Sequence, residues 1–295
     1  VASDVAALLP VTNQFMFLEE DDIAIIEQQK ITVIDVNGII ADRAIVESRL
    51  SSAATERGEF KHFMLKEIHE QSEAVDNTLK SRIAGGQVLE SAFGPGAAAA
   101  FDKIKVVHIV ACGTSYHAGL VARCWIEAIC RIPCSVEIAS EYRYRDPVVP
   151  DGTLFVTISQ SGETADTLAA LRAAKKADYV STLVICNVPE SSMVRESDLV
   201  LITNAGPEIG VASTKAFTTQ LAALSLLTIA LGRRHGLDNA TEIELVDQLS
   251  ELPVLIKKIL DLDKNIESLA QHFADKDHAL FLGRGIQNPV AMEGA

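Results

Sequence analysis

The chain has 295 residues, of which 48% are hydrophobic, so it is long enough to bury a substantial core as one large domain or two smaller ones. Its 26 Lys and Arg against 40 Asp and Glu leave a net charge of −14, which argues against general nucleic-acid binding and against adhesion to anionic membranes. Only 5% of residues are aromatic and no basic run interleaves with them, so a platform for stacking single-stranded nucleic acid is also excluded.

The first 50 residues carry short β-type runs at 15–18, 23–26 and 31–36, the last followed by Asn37-Gly38. Asn-Gly between apolar runs is a hairpin signal, and the stretch reads as the antiparallel edge of a β-rich domain. The apolar pattern lapses at 53–59, a candidate linker. From Phe60 to Arg82 the residues are mostly good helix formers, with Ala84-Gly85-Gly86 as a stop. After Gly94-Pro95-Gly96 the character changes. Strands are predicted near 104–111, 134–138, 154–158, 181–186 and 198–202, separated by helical patterns near 116–130, 164–177 and 214–231. Apolar strands alternating with helices specify an α/β fold, a parallel sheet flanked by helices, whose ligands bind at the carboxyl ends of the strands. The apolar run 217–231 contains Thr, Ser and Gln, is too short to cross a bilayer comfortably, and reads as a core helix. Residues 237–274 are helical by pattern, a connector with Leu245, Leu249, Leu252, Leu255, Ile259 and Leu262 at helical spacing. Near the end, the order of strand 279–282, the Gly283-Arg284-Gly285 turn and a helix repeats the order around Gly113, as a duplicated domain would. The chain opens on Val1 without an initiator Met or signal segment and stops at Ala295 inside a helical pattern, which reads as a piece of a longer protein.

Three predicted strand-to-helix loops hold candidate binding residues: Cys112-Gly113-Thr114-Ser115, Ser159-Gln160-Ser161-Gly162-Glu163-Thr164, and residues 205–215. The second is the most informative. Three hydroxyls and several backbone amides at a helix start suit an anion, and the absence of Lys and Arg suits a small phosphorylated metabolite better than a nucleic acid. An ordinary capped helix would use the same residues. Thr214 reads as the cap of the following helix, and Lys215 as a solvated first-turn lysine or a ligand contact. The five cysteines, Cys112, Cys124, Cys130, Cys134 and Cys186, lack CxxC pairing and read as reduced thiols in a cytoplasmic protein, with no metal site. His108, His117, His235 and His278 read as strand-end or surface histidines.

CGTSY at 112–116, SQSGETADT at 159–167, EIGVASTKAFTTQ at 208–220 and KHFMLKEIHEQ at 61–71 together resemble the glutamine–fructose-6-phosphate aminotransferase family. The SxSGxT turn alone marks only the wider sugar isomerase (SIS) class, and ASDVAALLP at 2–10 looks like the end of that family's glutaminase domain. The resemblance implies an enzyme whose glutaminase releases ammonia from glutamine and whose two SIS domains convert fructose 6-phosphate to glucosamine 6-phosphate, with no cofactor or metal. It implies the C-terminal part of a glutaminase domain at 1–55, linker helices at 56–97, and a first SIS domain, doubly wound and flavodoxin-like, at 98–236. A helical connector at 237–276 and the start of a second SIS domain at 277–295 complete the division. By the same resemblance Ser115, Ser159, Gln160, Ser161 and Thr164 bind the phosphate, while Thr114, Val211 and Ser213 line the sugar. The intact enzyme is expected to be a homodimer. No catalytic residue is implied in this chain: none of its cysteines occupies the glutaminase's N-terminal position, and the isomerase's acid/base glutamate, histidine and lysine lie beyond the point matching Ala295. Glu293 is expected to be a plain helix residue. The alternative is a sugar-phosphate-sensing SIS module without catalysis; such a regulator should carry a basic DNA-binding helix-turn-helix, whereas residues 1–60 read as acidic strands. A stand-alone phosphosugar isomerase would leave residues 1–60 and the partial repeat unexplained.

Overall fold

The computed structural model describes residues 1–295 except 3, 4, 6, 7, 10, 20 and 48–56. Much of the glutaminase-like string at 2–10 and the start of the expected linker at 53–59 therefore lie outside the described residues. The chain forms two compact units, Val1–Gly58 and Glu59–Ala295.

In the first unit, β1 (Gln14–Met16) pairs antiparallel with β5 (Ile45–Glu47), and β2 (Ile23–Ile26), β3 (Ile31–Ile34) and β4 (Ile40–Ala41) form an antiparallel meander. The Asn-Gly signal at 37–38 is realised between β3 and β4. Asp35 Oδ1 accepts from the amides of Asn37 and Ile39, each at 2.9 Å, and so closes the turn with its own side chain.

The second unit starts with α1 (Phe63–Leu79), a small hairpin of β6 (Ile83–Ala84) and β7 (Gln87–Val88), and the short α2 (Ala97–Phe101). Then comes a five-stranded parallel sheet built from β8 (Val106–Ala111), β9 (Cys134–Ile138), β10 (Thr153–Ser159), β11 (Ser181–Cys186) and β12 (Leu199–Ile202). Its spatial order is β12-β11-β10-β8-β9. Numbered from its own first strand, that is the 2-1-3-4-5 order of a flavodoxin-like sheet, with the order reversing between β8 and β10. The connecting helices are α3 (Gly113–Trp125), prolonged by a π turn over Ile126–Cys130, α4 (Ala139–Tyr142), α5 (Ala165–Ala174) and α6 (Ser192–Glu196). After the sheet follow α7 (Lys215–Gly232), α8 (Asn239–Leu260), α9 (Asp263–Ala270) and α10 (Gln287–Gly294).

The strands are largely apolar because both faces of the sheet are covered, and their buried residues divide between two cores. Val107, Ile109, Leu154, Val156, Ile158, Leu183 and Ile185 pack toward residues of α1, α3, α7 and α8. Val110, Phe155, Val184 and Cys186 point the other way, toward Tyr142, Ala170, Leu171 and Met193. Gly119 lets α3 approach the sheet: a Cβ there would lie 3.0 Å from Ile109 Cγ2 and 3.1 Å from Val136 Cγ1. Helix α7 is the expected core helix. It is long and apolar enough to span a bilayer, but 78% of its most apolar window is buried inside the protein.

The expected strand at 279–282 does not form. A strand needs a neighbour to take its backbone hydrogen bonds. None pairs with it among the described residues, and Leu280, Phe281 and Leu282 are exposed. The turn and helix of that repeat do form: Gly285 has φ +59, close to the +52 of Gly113, and α10 follows.

Candidate functional site

Two turns leave the sheet at its reversal point. The β8 turn delivers Cys112 and enters α3 at Gly113; the β10 turn runs from Ser159 to Thr164 and enters α5 at Ala165. Because β8 and β10 are hydrogen-bonded neighbours, with Val110 opposite Thr157, the two turns and two helix N-termini lie side by side. The Thr167 hydroxyl of α5 reaches the Cys112 sulfur at 3.8 Å across this junction. Two helix starts bring orphan amides and the positive ends of their dipoles to one place, without a basic side chain in either turn.

The β10 turn is shaped by its own hydroxyls. Ser159 Oγ accepts from the Gly162 amide at 3.0 Å and lies 3.1 Å from Thr164 Oγ1, while Ser161 Oγ accepts from the Glu163 amide at 3.2 Å. Thr164 is the N-cap of α5 by position, but its hydroxyl faces Ser159 rather than capping an amide. Gly162 is required: φ is +68, and a Cβ would sit 2.0 Å from Ser191 Oγ and 2.7 Å from Cys186 Sγ. The turn is fixed from behind by Asn187, just after β11, and by the start of α6. The Gln160 carbonyl accepts from the Asn187 amide at 3.3 Å, the Gly162 carbonyl from the Met193 amide at 3.2 Å, and Glu163 Oε1 from the Ser192 amide at 2.7 Å. Ser115 and Ser159 are both buried, at 8% and 2% exposure.

The third loop, residues 203–214, is held by carboxylates. Asn187 ties it to the β10 turn: its Oδ1 accepts from Thr203 Oγ1 at 3.1 Å and the Ala205 amide at 2.7 Å, and its Nδ2 donates to the Gly206 carbonyl at 2.7 Å. Glu67 of α1, 2% exposed, accepts from the amides of Ile209 and Gly210 at 2.6 and 3.0 Å. Glu208 takes the Ser213 hydroxyl at 2.8 Å and the amides of Thr214 and Ala216 at 2.9 and 3.1 Å. Glu208, not Thr214, therefore caps α7; a carboxylate accepts two orphan amides at the positive end of the helix, where one hydroxyl takes fewer. Lys215 is not solvated. It is 2% exposed and donates to Glu70 Oε2 at 2.7 Å, so α1 grips the loop through two glutamates three residues apart.

The structure thus brings Ser115, Ser159, Gln160, Ser161 and Thr164 to the carboxyl end of the neighbouring strands β8 and β10, with Thr114 beside them. It does not join Val211 and Ser213 to them: Val211 is fully exposed and the Ser213 hydroxyl is engaged by Glu208.

The SIS domain family matches residues 101–230, the segment that contains the whole sheet and all three loops. The glutamine–fructose-6-phosphate aminotransferase (isomerizing) of Pseudomonas syringae is 57% identical over 296 residues, which cover 100% of this chain and 48% of that protein. The enzyme of the same name from Escherichia coli is 54% identical over 295 residues, with the same coverage. The solved C-terminal domain of glucosamine-fructose-6-phosphate aminotransferase from Francisella tularensis is 52% identical, with a TM-score of 0.79, over 82% of this chain and 68% of that one. The chain belongs to the glutamine–fructose-6-phosphate aminotransferase family. It spans about half the length of the curated relatives it matches.

His278 is exposed, as expected of a surface histidine, whereas His108 and His117 depart from the expectation. His108 is a buried strand residue, with Nδ1 3.0 Å from Tyr179 Oη and Nε2 2.9 Å from Glu137 Oε1. Burial holds its pKa below the ordinary histidine value, against the pull of Glu137. His117 contacts Glu293, and Glu293 is more than a plain helix residue: it accepts the Thr114 hydroxyl. Cys130, Cys134 and Cys186 are buried, and burial pushes the Cys130 thiol up to about 12, so it remains protonated at neutral pH. Sequence reasoning missed Asn187, Glu67, Glu70 and Glu208 as supports of the loops. Glu67 and Glu70 were within reach, since both lie in KHFMLKEIHEQ at the spacing of one helix face.

Proposed function

We propose that the cradle at the β8 and β10 turns binds the phosphate of fructose 6-phosphate and glucosamine 6-phosphate, as part of an enzyme that makes the second from the first with ammonia released from glutamine. The observation that carries this reading is the meeting of two helix N-termini and a hydroxyl-rich turn, without Lys or Arg, at the reversal point of a flavodoxin-like sheet. Ser115, Ser159, Gln160, Ser161 and Thr164 hold the phosphate through neutral donors, and Thr114, Val211 and Ser213 face the sugar. Val211 is exposed and free to meet a ligand, and the Ser213 hydroxyl, whose proton goes to Glu208, keeps its lone pairs for a sugar hydroxyl. The amides are already in place, which reduces the ordering cost of binding. A fixed phosphate then supplies orientation for ring opening and isomerisation carried out by groups outside this chain.

In this reading the chain comprises the tail of a glutaminase domain (1–55), linker helices (56–97), a first SIS domain (98–236), a helical connector (237–276) and the beginning of a second SIS domain (277–295). The parent enzyme is a cytoplasmic homodimer that needs no resident cofactor or metal, and the chain alone binds its sugar phosphate without turning it over.

Calorimetric titration of the chain with fructose 6-phosphate, fructose and inorganic phosphate tests the reading. Saturable binding of the two phosphates, none of fructose, and loss of both in a Ser159→Ala, Ser161→Ala variant are expected. Equal binding of fructose and fructose 6-phosphate, or an indifferent double variant, refutes it.

A further inference from the structure

Helix α10 presents Glu293 to the first two turns of α3. One carboxylate oxygen accepts from Thr114 Oγ1 at 2.7 Å, and the other lies 2.7 Å from His117 Nδ1. Thr114 and His117 are three residues apart, so they share one helix face and a single carboxylate reaches both. The Glu293 side chain is 17% exposed, and no Lys or Arg among the described residues pairs with it.

A threonine hydroxyl has one proton and two lone pairs. When the proton is given to a carboxylate, in a charge-assisted bond of the stronger kind, only lone pairs remain to face a ligand. A phosphate monoester near neutral pH is itself almost entirely an acceptor. A sugar hydroxyl, in contrast, can donate. Ser115, the next residue, has no hydrogen-bonded carboxylate among the described residues and keeps its proton for an anion. Neighbouring hydroxyls on one helix turn are thereby given opposite polarity.

Resting on the sugar-phosphate reading above, we propose that Glu293 is a positioning residue that fixes Thr114 as a hydrogen-bond acceptor for a sugar hydroxyl, and so selects the sugar while leaving the phosphate to the neutral donors. His117 keeps the carboxylate in place by donating from Nδ1, the tautomer that this contact requires.

The test is a double-mutant cycle on the 295-residue chain, with fructose 6-phosphate and inorganic phosphate titrated separately by calorimetry. Glu293→Ala should weaken fructose 6-phosphate about five- to tenfold, the effect of one hydrogen bond, and leave inorganic phosphate unchanged. Thr114→Val should do the same, and the combination should be no weaker than Thr114→Val alone. Glu293→Gln, whose amide oxygen still accepts the Thr114 proton, should restore most of the affinity. In the unliganded wild type, the ring nitrogen shifts of His117 should place the proton on Nδ1. If Glu293 only docks α10, its loss adds to that of Thr114→Val or weakens both ligands alike, and the proposal falls. An Nδ1 of His117 found without a proton also overturns it. A folded wild type that binds neither ligand removes the sugar-phosphate reading and this proposal together; a wild type that binds both, with Glu293→Ala indifferent, removes this proposal alone.

Discussion

Replacing Gly162 by Ala should be among the most costly single-methyl changes in the second unit. The backbone there has φ +68, where a side chain costs about 1–2 kcal/mol. The added Cβ would also meet Ser191 Oγ at 2.0 Å, Ser191 Cβ at 2.5 Å and Cys186 Sγ at 2.7 Å. All three are too close to stand, and none belongs to the loose end of a long side chain. Overpacking of this kind adds about 1–3 kcal/mol, for a total near 2–5 kcal/mol. With a urea slope of about 2–3 kcal/mol per molar, the midpoint should fall by about 0.7–2.5 M. Fluorescence of Trp125, the single tryptophan, follows this unit, because the residue sits on α3 against the main core. A companion Gly162→Ala, Ser191→Gly variant should recover part of the loss relative to Ser191→Gly alone, since two of the three close contacts are gone while the backbone cost and the sulfur remain. A Gly162→Ala chain within about 0.5 kcal/mol of wild type would refute the reasoning, as it would show that the turn relaxes freely and that its hydroxyls are not held in place.

Further tests concern the supports of the site. Glu67→Ala leaves the part-buried amides of Ile209 and Gly210 without their acceptor, which should cost about 0.5–1.5 kcal/mol and raise hydrogen exchange in residues 205–214, whereas Glu67→Gln should keep both bonds. Unchanged exchange in Glu67→Ala would show that the loop is held otherwise. For His108, burial lowers the folded pKa below the unfolded value near 6.5, so between the two values the unfolded chain binds more protons and stability rises with pH. The contribution is full above the unfolded pKa and is lost as pH falls toward the folded one. Urea midpoints measured from pH 8 to pH 5 should fall less in His108→Gln than in wild type; parallel profiles would exclude His108 as the source.

Much of the fold was legible along the chain. The five strands, the core helix at α7 and the Asn37-Gly38 hairpin follow from local signals: apolar runs of strand length, a long apolar helix pattern, and a dipeptide that tolerates positive φ. The hydroxyl-rich turns were legible for the same reason, since Ser, Thr and Gly at a strand-to-helix junction act over a few residues. What was misread depended on partners beyond one helix turn, some of them far away in sequence. Lys215 reads as a solvated lysine until Glu70, 145 residues earlier, is seen to receive it. Thr214 reads as a cap until Glu208 takes the amides. The 279–282 stretch has the composition of a strand, but composition cannot supply the neighbouring strand that would pair with it.

The sequence by itself determined the alternation of buried strands and helices, the neutral, hydroxyl-rich character of the two cradle turns, and the kinship carried by its four motifs. Strand order was decided only in three dimensions, and with it the meeting of the β8 and β10 turns at the reversal of the sheet. The same is true of the proton of Thr114, which Glu293 claims from 179 residues away. The physical reason is range: backbone propensity and capping act within a few residues, whereas the direction of a hydroxyl proton and the burial of a charge are set by whichever group packing brings within 3 Å.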